Sequence, residues 1–203
     1  MTTEPAPAPR PTPAASPTQA MTDAALIALF AALIAALGLF PSVYSSASGG
    51  TPFTMQTLGV MIAGGVLGWK RGFLSVGLFV LLVAAGLHLL AGGRGGIEYF
   101  STPPAGFAIG FPFGAAVIGA LIGNSNNLVR IALSTFVGGV VVVYAFGIAG
   151  LMINADLSFS AAWDVAKLFI GWDTFKVAIA TLVIAQVRTS GLIGGSGSTR
   201  ASV

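Results

Sequence analysis

The chain has 203 residues, of which 55% are hydrophobic and only 7% charged, with a net charge of +3 and no cysteine. A soluble globular domain has roughly a quarter of its residues charged, so this composition, with a mean hydropathy of +0.91, marks an integral membrane protein. The missing cysteines exclude disulfides, thiolate metal sites and cysteine nucleophiles, and the scattered Lys and Arg residues form no basic stripe for a nucleic acid.

In chain order, residues 1–20 read MTTEPAPAPRPTPAASPTQA, rich in Pro, Ala and Thr without apolar periodicity. Residues 1–21 are therefore expected to form a disordered tail rather than a secretory signal. Six apolar runs follow, at about 23–40, 56–69, 72–91, 105–123, 129–151 and 168–190. Several approach or meet the roughly 20 residues that a helix needs to cross the hydrocarbon core, while the second is short. In lipid an unpaired backbone group costs several kcal/mol, and no run alternates like a barrel strand, so all six are predicted helical. Residues 22–190 thus form the membrane-embedded domain. The remainder, residues 191–203, contains GGSGSTRASV and reads as a flexible tail.

Between the first two runs lies SSASGGTPFTMQT, whose glycines and Pro52 suit a loop that lines a protein cavity rather than faces lipid. Lys70, Arg71, Arg130, Arg188 and Arg200 fall on one side together with Arg10, whereas Arg94 and Lys167 fall on the other. The positive-inside rule then places both termini in the cytoplasm and turns the TPFTMQT, GGRGG and Asp156-to-Lys167 loops outward. Small residues recur every four positions, as in Ala24, Ala28, Ala32 and Ala36 of the first run and Gly64, Gly68 and Gly72 of the second. That spacing lets helix backbones approach closely where no hydrophobic effect drives association. Alanines around most of the first helix also offer an outer face to a partner protein.

The candidate chemistry sits in GWDTFKVAIATLVIAQV, residues 171–187, where Asp173 and Lys176 interrupt an apolar run. A charge at the bilayer centre costs roughly 2.5–3.5 kcal/mol on insertion scales, so the pair needs compensation. Residues at i and i+3 share a helix face, and an acceptor beside a donor suits a ligand group with both N–H and C=O, such as a urea or amide. The plainer alternative is an interfacial ion pair, with Trp172 in the aromatic belt and Lys176 snorkelling to the headgroups. His88 is the sole histidine, and no acid, His or Ser constellation has catalytic or metal-ligand spacing. In GGRGGIEYF the glycines around Arg94 allow a sharp turn, either as a plain connection or to present Arg94 to a substrate carboxylate.

Three segments, TPFTMQTLGVMIAGGVLGWKRG, GGRGG with the later AGFAIGF, and WDTFKVAIA, resemble the BioY family, the biotin-specific substrate-binding subunits (S-components) of energy-coupling factor transporters. The resemblance spans about residues 22–190. It implies an all-α membrane protein of six transmembrane helices with a substrate pocket at its outer face, in the cytoplasmic membrane of a prokaryote. It also implies that Asp173 and Lys176 bind the vitamin, that the loop from Thr51 to Gln56, with Phe53 and Thr54, closes over it, and that Gly92 to Gly96, with Gly93, Arg94 and Gly95, line the pocket. Phe107 joins Phe53 against the ligand's apolar ring in this reading. Ala24, Ala28 and Ala32 match the surface by which such subunits dock on a transmembrane coupling subunit, with ATP hydrolysis left to separate ATPase subunits. No catalytic residue, cofactor or metal is implied, and a homo-oligomer or solitary action stays open. Before helix 4 this chain departs from the family pattern, with Ser101 to Phe107 (STPPAGF) where many members end in a tyrosine. Rival readings are an S-component for another small vitamin-like ligand, an intramembrane enzyme pairing Asp173 with His88, and a structural subunit without ligand.

Overall fold

A computed structural model of the protein describes residues 16–41 and 52–191. Its helices are α1 (Pro17–Leu37), α2 (Gln56–Ala84), α3 (Ala105–Ile122), α4 (Leu128–Phe136), α5 (Val143–Asn154) and α6 (Phe159–Thr189). A 3-10 turn over Ile97–Ser101 precedes α3, and a π-helical segment, Val137–Val142, joins α4 to α5 without a break. Among the described residues no strand forms, and extended pairing is limited to isolated bridges such as Leu90 with Arg94. Counting Leu128–Asn154 as one, 5 helices among the described residues are long and apolar enough to cross a membrane.

The second and third apolar runs are merged in α2, but not as a straight rod. Gly68 has φ 78 and ψ 179, a conformation open to glycine because it lacks a Cβ. The chain folds back there: a Cβ placed on Gly72 would lie 3.0 Å from the Cα of Gly64, whereas residues eight apart in a straight helix are about 12 Å apart. The third run was expected to stay helical to residue 91, yet α2 ends at Ala84. Gly86, Gly92 and Gly93 all take positive φ, so residues 85–96 form turns instead.

Two other boundaries move outward. α1 starts at Pro17, ahead of residue 22, because Ser16 caps it through Gln19 N and Pro17 occupies a first-turn position that needs no N–H. α6 starts at Phe159 rather than 168, since Ser158 caps Ala161 N and the Lys167–Asp164 pair, 2.6 Å apart, bridges one turn. The outer loop expected over Asp156–Lys167 is thereby reduced to a few residues. Residues 1–15, 42–51 and 192–203, which contain Thr51 and most of both expected tails, lie outside the described residues.

α3 is the central element, packed on α2, α4 and α5, and α1 packs chiefly on α2. Close helix approach comes from the small residues: Gly106 meets Gly150, and Gly64 meets the backbone of Ala115. At one end of the bundle Arg188 donates to Gly65 O (3.1 Å), Gly123 O (2.7 Å) and Asn126 Oδ1 (3.4 Å), tying α2, the α3–α4 turn and α6 together. Asp23 and Arg71 pair at the same end, 3.0 Å apart. The basic side chains Lys70, Arg71, Arg130 and Arg188 thus gather where α2 folds back and α6 ends. Asp173 lies fifteen residues earlier on α6, about 22 Å away at 1.5 Å per residue, towards the opposite end.

Candidate functional site

Asp173 and Lys176 lie on the inward face of α6 with side-chain exposures of 7% and 2%, while their neighbours Trp172 and Phe175 face outward. The interfacial alternative, with Lys176 reaching the headgroups, therefore does not hold. A buried ion pair is tolerable only where further hydrogen bonds satisfy both partners. Here Lys176 Nζ donates to Asp173 Oδ1 (2.7 Å), to Thr57 Oγ1 (2.7 Å) and to the carbonyl oxygen of Thr54. All three ammonium hydrogens are thus engaged. Thr57 passes its own hydroxyl hydrogen to Asp173 Oδ1 (3.0 Å), and Tyr144 donates to Asp173 Oδ2 (2.7 Å). The pair is locked by the segment before α2, by α2 itself and by α5.

Beside it opens a cavity of about 530 Å³, part of which is its mouth. Phe107, Phe111 and Phe169 with Leu90 form apolar walls, and Asp173, Lys176 and Arg94 supply charge. Arg94 is aimed by its turn: Leu90 N donates to Arg94 O (2.9 Å) and Arg94 N returns to Leu90 O (3.2 Å). Its Nε donates to Ala91 O (3.1 Å) and its guanidinium covers the Tyr99 ring at 5.3 Å. The arrangement is a chamber with opposite charges at one wall, an arginine at another and aromatic faces between.

The BioY family model matches residues 10–191. The chain belongs to the BioY family. A biotin transporter BioY of Rhizobium etli is 45% identical over 155 residues, covering 72% of this chain and 82% of the relative. That of Rhodobacter capsulatus is 43% identical over 173 residues, covering 77% of this chain and 90% of the relative. A crystal structure described as the S-component for biotin from an ECF-type ABC transporter superposes with a TM-score of 0.80 at 27% identity, covering 87% of this chain and 95% of that one.

Within this BioY-family site the residues expected from sequence divide. Asp173, Lys176, Arg94, Thr54, Gln56 and Phe107 line the cavity. The Gln56 amide, however, is spent on backbone: Nε2 donates to Ile34 O (3.3 Å) and Leu89 O (3.0 Å), and Oε1 accepts from Ala91 N (2.9 Å). It joins α1, α2 and the arginine turn. Thr54 presents its carbonyl to Lys176 and uses its hydroxyl to accept from Gln56 N (3.1 Å). Phe53 packs on Phe169 with centroids 4.5 Å apart and borders an outer depression with Trp172 instead of the cavity. Gly93 borders another depression, and Gly95 is pressed on the backbone of Leu87; both shape the turn while Arg94 reaches inside.

His88 is exposed and shares the Gly93 depression, apart from the cavity that holds Asp173. The acid–base pair required by the enzymatic reading is not assembled. Ala24, Ala28 and Ala32 form an exposed face of α1, while Phe30, Ala31 and Ile34 turn inward. Sequence reasoning missed Thr57, Tyr144, Tyr99, Phe111 and Phe169. For Tyr144 a signal existed: a tyrosine in an apolar span must place its hydroxyl on a partner. It also stands edge-on to Phe107, with 5.9 Å between ring centroids.

Proposed function

We infer that the protein captures biotin as the substrate-binding subunit of an energy-coupling factor transporter and serves vitamin uptake, not catalysis. The observation that carries this is the Asp173–Lys176 pair, buried and hydrogen-bonded on both charges, set in the wall of an aromatic cavity in a BioY-family fold. Biotin joins a urea head, an apolar bicyclic ring and a carboxylate tail. In our reading Asp173 Oδ2 accepts from a ureido N–H with its remaining lone pair, and Lys176 turns from Thr54 O to the ureido oxygen. Phe107, Phe111 and Phe169 enclose the ring, and Arg94 meets the carboxylate. Because Lys176 also holds Thr54, ligand binding is coupled to the segment ahead of α2.

Two finer features belong to this proposal. α2, folded at Gly68, counts as two crossings, which makes six, with the basic end cytoplasmic and the cavity mouth outside. The alanine face of α1 docks on the transmembrane coupling subunit, and ATPase subunits supply the energy. Labelled-biotin uptake in a biotin-requiring host is expected to appear with this chain and its partner subunits and to fall to background on its deletion. Unchanged growth and uptake after deletion would refute the assignment.

A narrower test concerns Tyr144. Tyr144→Phe removes one donor from the buried carboxylate, costing about 1–3 kcal/mol. Biotin affinity measured by titration calorimetry on the purified protein should fall roughly 5- to 100-fold, with thermal stability lowered only modestly. Ala24→Leu with Ala28→Leu should leave that affinity unchanged while reducing co-purification of the coupling subunit.

A further inference from the structure

A second concavity, unrelated to the biotin reading, lies at the basic end of the bundle. It is a groove of about 1110 Å³, open along one side, between the end of α3 and α4. Its walls are apolar and exposed: Leu121 from α3 and Val129, Leu133 and Val137 from α4 and the π-helical segment. Arg130 stands at its mouth. Arg130 Nε donates to Leu121 O (2.7 Å), which holds the guanidinium across the groove, and its terminal nitrogens make no hydrogen bond to the described residues. The Asn127 side chain caps α4 by accepting from Arg130 N (3.1 Å), so the positive end of the helix dipole opens at the same place.

Deeper in the groove lies a polar group without a partner. Ser134 is only 4% exposed, lines the groove, and its hydroxyl makes no hydrogen bond to the described residues, although Thr135 beside it bonds Ile131 O at 2.7 Å. A buried hydroxyl of this kind calls for an acceptor. It lies one helical turn, about 6 Å, below Arg130, the offset between a lipid's phosphate and its glycerol ester carbonyls. Among the described residues no carboxylate lines the groove, and Lys70, Arg71 and Arg188 crowd the same end of the molecule.

We propose that this groove binds an anionic phospholipid, with the phosphate on Arg130 and the α4 N-terminus, an ester carbonyl on Ser134, and an acyl chain along Leu121, Leu133 and Val137. Charge complementarity selects the occupant: a zwitterionic lipid would bring its own cation to a mouth that already has one, whereas an anionic headgroup neutralises it. The site sits far from Asp173 and works independently of what that cavity binds.

The test uses the full chain in nanodiscs of phosphatidylcholine containing a fraction of phosphatidylglycerol, with retained lipids counted by native mass spectrometry. Wild type is expected to retain phosphatidylglycerol about 5-fold or more above its bulk fraction, on the scale of one headgroup–cation contact. Arg130→Gln should bring retention to the bulk ratio and Ser134→Ala should reduce it, whereas Arg130→Lys and Lys70→Gln should leave it in place. Thermal unfolding of each variant verifies folding. Equal retention of both lipids by wild type, or equal loss in Lys70→Gln and Arg130→Gln, would overturn the proposal. So would an Arg130→Gln variant that loses a partner subunit while wild type shows no headgroup preference, which would mark the groove as a protein contact.

Discussion

Lys176→Ala is expected to abolish measurable biotin binding and to destabilise the protein by about 3–5 kcal/mol, the usual cost of leaving one partner of a buried ion pair uncompensated. Three bonds disappear at once, to Asp173, Thr57 and the Thr54 carbonyl, so loss of binding alone would not separate a binding role from a folding role. The double variant Asp173→Leu/Lys176→Met does. Replacing both charges by apolar groups of similar shape removes the desolvation penalty together with the attraction, and such exchanges are often neutral or stabilising. Thermal unfolding should therefore return most of the way to wild type while binding stays absent. If the double variant binds biotin with wild-type affinity, the pair has no part in recognition.

Gly64→Ala and Gly77→Ala should move stability in opposite directions although both lie in α2. A Cβ on Gly64 would stand 2.5 Å from the carbonyl oxygen of Ala115, a backbone atom that cannot swing aside, whereas at Gly77 nothing lies within 4 Å. Overpacking of this kind costs about 1–3 kcal/mol, and here it would push α2 off α3, the central contact of the fold. Gly77→Ala meets open space and gains up to about 1 kcal/mol from the better helix former. Thermal midpoints in one detergent provide the comparison. A stabilised Gly64→Ala would show that α2 and α3 do not pack as described.

Much of the molecule can be read along the chain because the bilayer permits so few solutions. Apolar runs must be helices, and the breaks between them fell where Lys70, Arg71 and Arg130 stand. Asp173 and Lys176 were conspicuous since charge in an apolar span requires a partner. Helix ends were less legible: Ser158 was a usable cap signal in front of Phe159, but Asp164 and Lys167 look like loop residues until their pairing one turn apart is seen. The fold-back at Gly68 could not be distinguished from an ordinary interhelical turn, as a GxxxG repeat describes straight and broken helices alike.

The divergence is sharpest at the site itself. Phe53 and Gln56 belong to the same short motif, yet one packs outside the cavity and the other ties down three backbone segments. Nothing in residue type announces which polar group will be consumed by structure and which will face a ligand. Hydropathy and charge along the chain determine that the protein lives in a membrane and which two residues must find compensation, because these follow from the solvent each residue meets. Which side chains provide that compensation, Thr57 from α2 and Tyr144 from α5, was decided only by the tertiary structure. Contacts between residues 29 and 116 positions from Asp173 depend on how helices pack, and packing is set by shape in three dimensions, which no local pattern encodes.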